Sequence, residues 1–65
     1  MLSYADARQI LEGYKCTAMT SHPSARWHRQ DIGVFYIRIV NGQVSEAEIR
    51  LIEHDLIRGV GAPNN

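Results

Sequence analysis

The sequence predicts an α+β fold: an N-terminal helix, a central β-strand and hairpin region, and a C-terminal helix packed on one sheet face. Three observations carry this. A capping serine precedes apolar residues at helical spacing near the start. The run "IGVFYIRIV" (32–40) is rich in β-branched and aromatic residues and closes on Asn41-Gly42. "VSEAEI" (44–49) opens a second helix with a complete capping box. One domain over residues 1–60 and a flexible tail over 61–65 are expected.

In the first helix Ser3 is the N-cap, and Asp6 three residues on complements the helix dipole. Ala7, Ile10, Leu11 and Tyr14 form one apolar stripe at i, i+3, i+4 and i+7. Gly13 is a candidate C′ residue, but the stripe can continue to Ala18, and the end is placed near Lys15. From Cys16 to Asp31 no period is evident. "CTAMTS" reads either as a short edge strand or as a last helical turn. His22-Pro23 excludes helix locally, because the residue before a proline is pushed to extended geometry.

The run 32–40 reads as one strand. Its odd positions Phe35, Ile37 and Ile39 make a strongly apolar face. Its even positions Ile32, Val34, Tyr36, Arg38 and Val40 make a face that is apolar apart from one charge. Asn41-Gly42 is a strong hairpin signal, yet only Gln43 and Val44 remain for a returning strand. In the last helix Ser45 caps, Glu48 completes the box, and Val44 and Ile49 form a hydrophobic staple. Glu46 and Arg50 have the favourable i,i+4 order. Ile49, Ile52, Leu56 and Val60 lie within an arc of about 80° on a helical projection. Arg58 and Gly59 suit the C-terminal end, and Leu51 points away from the stripe.

Two helices can cover one face of the strand but not both within 65 residues. The face bearing Tyr36 therefore lacks an evident cover, unless the 13–30 segment folds over it as a third layer or as extra strands. That shortage matters because the chain is small. By area scaling, a chain of 7.4 kDa exposes roughly 10,700 Å² unfolded and about 4,200 Å² folded. Burying the apolar ~60% of the difference yields ~97 kcal/mol at ~25 cal/mol per Å². Ordering at ~1.5 kcal/mol per residue cancels about all of it. Association is a common remedy in so small a chain.

Seven basic and seven acidic residues give zero formal net charge, which argues against a strongly basic nucleic-acid binder. Cys16 is the only cysteine, so no internal disulfide can form, and a lone thiol suits a reducing, cytoplasmic setting. The longest apolar run, "IGVFYI" (32–37), is too short to cross a bilayer, so no membrane partner is expected. Asp6 and Arg8 stand where a signal peptide would place its apolar run.

Candidate chemistry is sparse. Cys16, His22, His28 and His54 are zinc-ligand types, but they lack the closely spaced pairs of structural sites, so neither metal nor cofactor is expected. A Cys16–His–Asp triad would need a cleft and a local signature that are not legible, so no enzyme is expected and no catalytic residue is assigned. "RWHRQ" (26–30) raises nucleic-acid contact as the alternative. Lys15, Arg26 and Arg29 would neutralise phosphates and Trp27 would stack on a base. Against it, Asp31 follows at once, no nucleic-acid-binding motif occurs, and Trp27 has a simpler place in the core. The preferred expectation is a small non-catalytic interaction protein, a homodimer, that regulates or inhibits a larger protein by stoichiometric binding. Its contact residues would be Arg26, Arg29, Tyr36, Arg38 and Leu51.

Overall fold

The computed structural model describes residues 1–59. The expected flexible tail over 61–65 and the place of Val60 on the last helical stripe lie outside the described residues. The chain runs β1 (Leu2–Ser3), α1 (Tyr4–Gly13), β2 (Thr17–Ala18), β3 (Arg26–Arg29), β4 (Gly33–Tyr36), β5 (Ile39–Val40), β6 (Gln43–Val44) and α2 (Glu46–Arg58). The α+β class and the two helices stand as the sequence indicates.

Both helices begin where their caps predict. Ser3 Oγ accepts from Asp6 N–H (3.1 Å), and Ser45 Oγ accepts from Glu48 N–H (3.3 Å). The staple residues Val44 and Ile49 are both fully buried. Glu46 and Arg50 pair at 3.2 Å across one turn of α2. The end of α1 is a Schellman motif. Cys16 N–H reaches Leu11 O (3.0 Å) and Lys15 N–H reaches Glu12 O (2.9 Å). The left-handed residue is Lys15, at φ 70°, rather than Gly13. Leu11 and Cys16, the two ends of the longer bond, both lie in the core.

The run 32–40 is not one strand. It divides into β4 and β5, interrupted at residues 37 and 38, and the halves join different antiparallel sheets, β2-β3-β4 and β1-β6-β5. The break passes the chain from one sheet to the other without changing parity, so the odd side chains still point inward, with Ile37 buried and Phe35 and Ile39 packed against the core. Asn41 (φ 52°) and Gly42 (φ 73°) make the left-handed two-residue turn expected of a primed hairpin, with Val40 opposite Gln43. The returning strand is short, and β1 extends its sheet by pairing Leu2 with Val44.

The 13–30 segment does not cover the even face of 33–40. It supplies extra strands beside β4: Trp27 lies opposite Phe35 on one side and Ala18 on the other. "CTAMTS" thus contains an edge strand. Trp27 is 0% exposed, and its indole N–H donates to Ser24 O (2.7 Å). The core comprises Ala7, Leu11, Cys16, Trp27, Ile37, Val44, Ile49 and Leu56.

A lysine held in the left-handed region costs stability that glycine avoids. Lys15→Gly should stabilise the chain by about 0.5–1 kcal/mol, read from the midpoint of urea unfolding.

Candidate protein-contact surface

Residues directly opposite in an antiparallel ladder point to the same face. Arg26 faces Tyr36, and His28 lies between Val34 and Thr17, so these side chains share the outer face of the β2-β3-β4 sheet. Tyr36 is 65% exposed and Val34 is 49% exposed. Arg38 lies two residues beyond the end of β4 and is exposed. Three expected contact residues, Arg26, Tyr36 and Arg38, therefore cluster on and just beyond β3 and β4. Val34 was missing from the expected set. Its signal was present, two residues before Tyr36 on the same side of a pleated strand.

Leu51 is 72% exposed but belongs elsewhere. It lies on the solvent side of α2, and the helix's buried residues Ile49 and Leu56, with the core beyond them, separate it from the outer sheet face.

Arg29 is placed on the inner side with Trp27. Its side chain is only 16% exposed. The guanidinium donates to Tyr14 O (2.8 Å) at the end of α1 and to Leu56 O (2.8 Å) in the last turn of α2. It also grips Asp31 through Nε (2.6 Å) and an Nη (3.0 Å). Gly59 closes the same cluster: a Cβ there would stand 3.2 Å from an Asp31 carboxylate oxygen. With these contacts Arg29 is held by the fold. Trp27 has no exposed ring to offer a base, and of the four residues in the nucleic-acid reading only Lys15 and Arg26 are exposed.

Other chemistry-bearing residues also have structural partners. Ser24 N–H donates to the Tyr4 hydroxyl (2.8 Å), whose own proton is then free to reach His22 Nδ1 (2.6 Å). Ser24 Oγ donates to Arg26 O (2.8 Å) and accepts from Thr20 (2.8 Å). The intervening His22–Pro23 peptide bond is cis. Burial pushes the Cys16 thiol up, against a smaller opposing pull from Arg29, so it is held as a neutral core group. Among the described residues no three of the His, Cys, Asp and Glu side chains converge to hold a metal ion, and no helix is long and apolar enough to cross a membrane.

The helices are further joined by Tyr14, whose hydroxyl donates to Glu53 (2.7 Å). That hydrogen bond, and next the one from Arg50 (3.1 Å), hold the Glu53 carboxyl below its usual range. The same bond to Glu53, followed by desolvation, raises Tyr14.

Comparison with protein-family models, curated proteins and solved structures finds no significant match to this chain. Among the described residues the structure defines a small α+β domain with two three-stranded sheets.

Two outcomes are expected here. Lysine cannot reproduce the planar fork that meets two helix ends and a carboxylate, so Arg29→Lys should lose about 1.5–3 kcal/mol in urea unfolding. Glu53 has a folded pKa below its unfolded one, so its contribution is present above the ordinary carboxylate range, about 4.3. That contribution disappears as pH falls through the folded value. Glu53→Gln should flatten the acid limb of a stability-against-pH curve.

Proposed function

We propose that this chain is a non-catalytic protein-interaction module that regulates or inhibits a larger protein by stoichiometric binding. It would work as a homodimer in a reducing, cytoplasmic setting. The contact surface is the outer face of the β2-β3-β4 sheet. The single observation behind this reading is the pairing of exposed Tyr36 and Val34 with Arg26 and His28 on one face, beside Arg38. Aromatic and arginine side chains of this kind dominate binding energy because each combines large contact area with a polar tip. Among the described residues nothing covers Tyr36 and Val34, which stay exposed.

The state of the buried thiol fits a role without catalysis. A nucleophilic cysteine needs access and a stabilised thiolate, whereas burial keeps the Cys16 thiol neutral. The compartment is read from the single free thiol, and stoichiometric binding from the small size of the chain.

Tyr36→Glu should change folding stability by no more than about 0.5 kcal/mol, as for an exposed position. It should also abolish a stoichiometric complex with the host partner that wild type retains in light scattering after size exclusion. Gln43→Glu, on an exposed position of the other sheet, should leave the complex intact. Retention of the complex by Tyr36→Glu would remove the outer face from the mechanism.

A further inference from the structure

The ladder between β3 and β4 decides which backbone groups of β4 are free. Antiparallel pairs alternate between those that exchange hydrogen bonds and those that do not. Ile37 N–H bonds Ala25 O (2.8 Å), which puts Phe35 with Trp27, and Gly33 with Arg29, in the bonded set. Val34 and Tyr36 therefore turn their N–H and C=O groups toward the other edge. β4 ends its sheet, and among the described residues nothing pairs with that edge. Natural edges are commonly blunted by charge or proline, and Gly33–Tyr36 contains neither.

We propose that this edge binds the same edge of a second copy. The two β4 strands run antiparallel about a two-fold axis through Phe35, and two three-stranded sheets become one continuous sheet. This rests on the reading of β4 as a contact element, but it uses the backbone edge where that reading uses the outer face.

Parity and residue chemistry select the register. Groups on the open edge belong to even positions, so even must meet even. Centred on Phe35, Val34 bonds Tyr36 of the second copy and Tyr36 bonds Val34, with no group outside β4 required. Centring on Val34 or Tyr36 would draw the flanking bonds from Ile32 or Arg38, both outside the strand. The Phe35 register also sets a β-branched side chain against an aromatic one on the outer side, a favourable cross-strand pair. On the inner side the half-buried Phe35 rings meet each other. Arg38 falls opposite Ile32, beside the turn that carries Asp31, and no like charges face each other. Zero formal net charge adds no long-range repulsion between copies.

Amide exchange of the unmodified protein, followed by NMR across a concentration series with sedimentation in parallel, tests the pairing. Val34 and Tyr36 amides should slow about tenfold once roughly nine-tenths of the chains are paired, while the Phe35 amide, already bonded to β3, stays unchanged. A dimer that leaves Val34 and Tyr36 exchange unchanged overturns the edge proposal and leaves the outer-face reading to its own test. A chain that stays monomeric throughout also overturns it. The register is tested by oxidising Val34→Cys and Tyr36→Cys separately and mixed. Crosslinking in the mixture alone supports the Phe35 axis. Crosslinking within either variant alone overturns it.

Discussion

The guanidinium of Arg29 is the constraint on which the arrangement depends. The last carbonyls of a helix have no partner within it and carry the negative end of its dipole. Here α1 and α2 both bring such carbonyls, from Tyr14 and Leu56, to one side chain of β3. Asp31 completes the set from the turn between β3 and β4. One planar cation thus satisfies acceptors from two helices and a hairpin, and it is positioned by being two residues from the fully buried Trp27. A strand alternates strictly, so fixing Trp27 and Arg29 inward forces Arg26 and His28 outward. Through the ladder the same choice forces Tyr36 and Val34 outward. The exposed face is a consequence of how the interior is tied. A slip of one residue would bury Arg26 and expose Trp27.

The same logic explains why a chain this short leaves apolar surface open. Both helices are engaged with the inner sides of the two sheets, through Ala7 and Leu11 of α1 and Ile49 and Leu56 of α2. Among the described residues no third element remains for the outer side. The residues between α1 and β4, which could have formed one, instead widen the sheet as β2 and β3. That choice gives Trp27 a core site and Phe35 a ladder partner. Widening the sheet satisfies backbone groups while adding apolar volume to the inside.

Legibility in the sequence followed how local the determining interaction is. Ser3, Ser45 and Glu48 cap through neighbours three residues away, and Asn41-Gly42 turns through its own dihedrals, so these features could be read directly. The break at 37–38 could not, because it comes from the demand of two sheets on one ribbon, and that demand exists only in three dimensions. β1 is equally opaque: Leu2–Ser3 is a strand only because β6 lies beside it. Among candidate contact residues, Tyr36 is legible because two helices can cover only one face of the strand, and Arg26 because a strand alternates about an inward Trp27. Residue type groups Arg29 with them, although it shares the parity of Trp27. Parity would have set it apart, but the helix ends that it serves lie fifteen residues before it and twenty-seven after.

Segment 33–40 is where these considerations converge. A strand offers four surfaces: two rows of side chains and two backbone edges. Here the odd side chains Phe35, Ile37 and Ile39 are committed to the core. One backbone edge of β4 is committed to β3. What remains is the other edge and the even side chains, and they project in perpendicular directions. The proposed second copy on the edge and the proposed larger partner on the face would therefore not compete. Pairing through the edge would instead place the Arg26, Val34 and Tyr36 sets of both copies on one continuous outer surface, doubling the area offered to a partner. For a chain whose own interior is barely sufficient, association through β4 would join folding and recognition in the same eight residues.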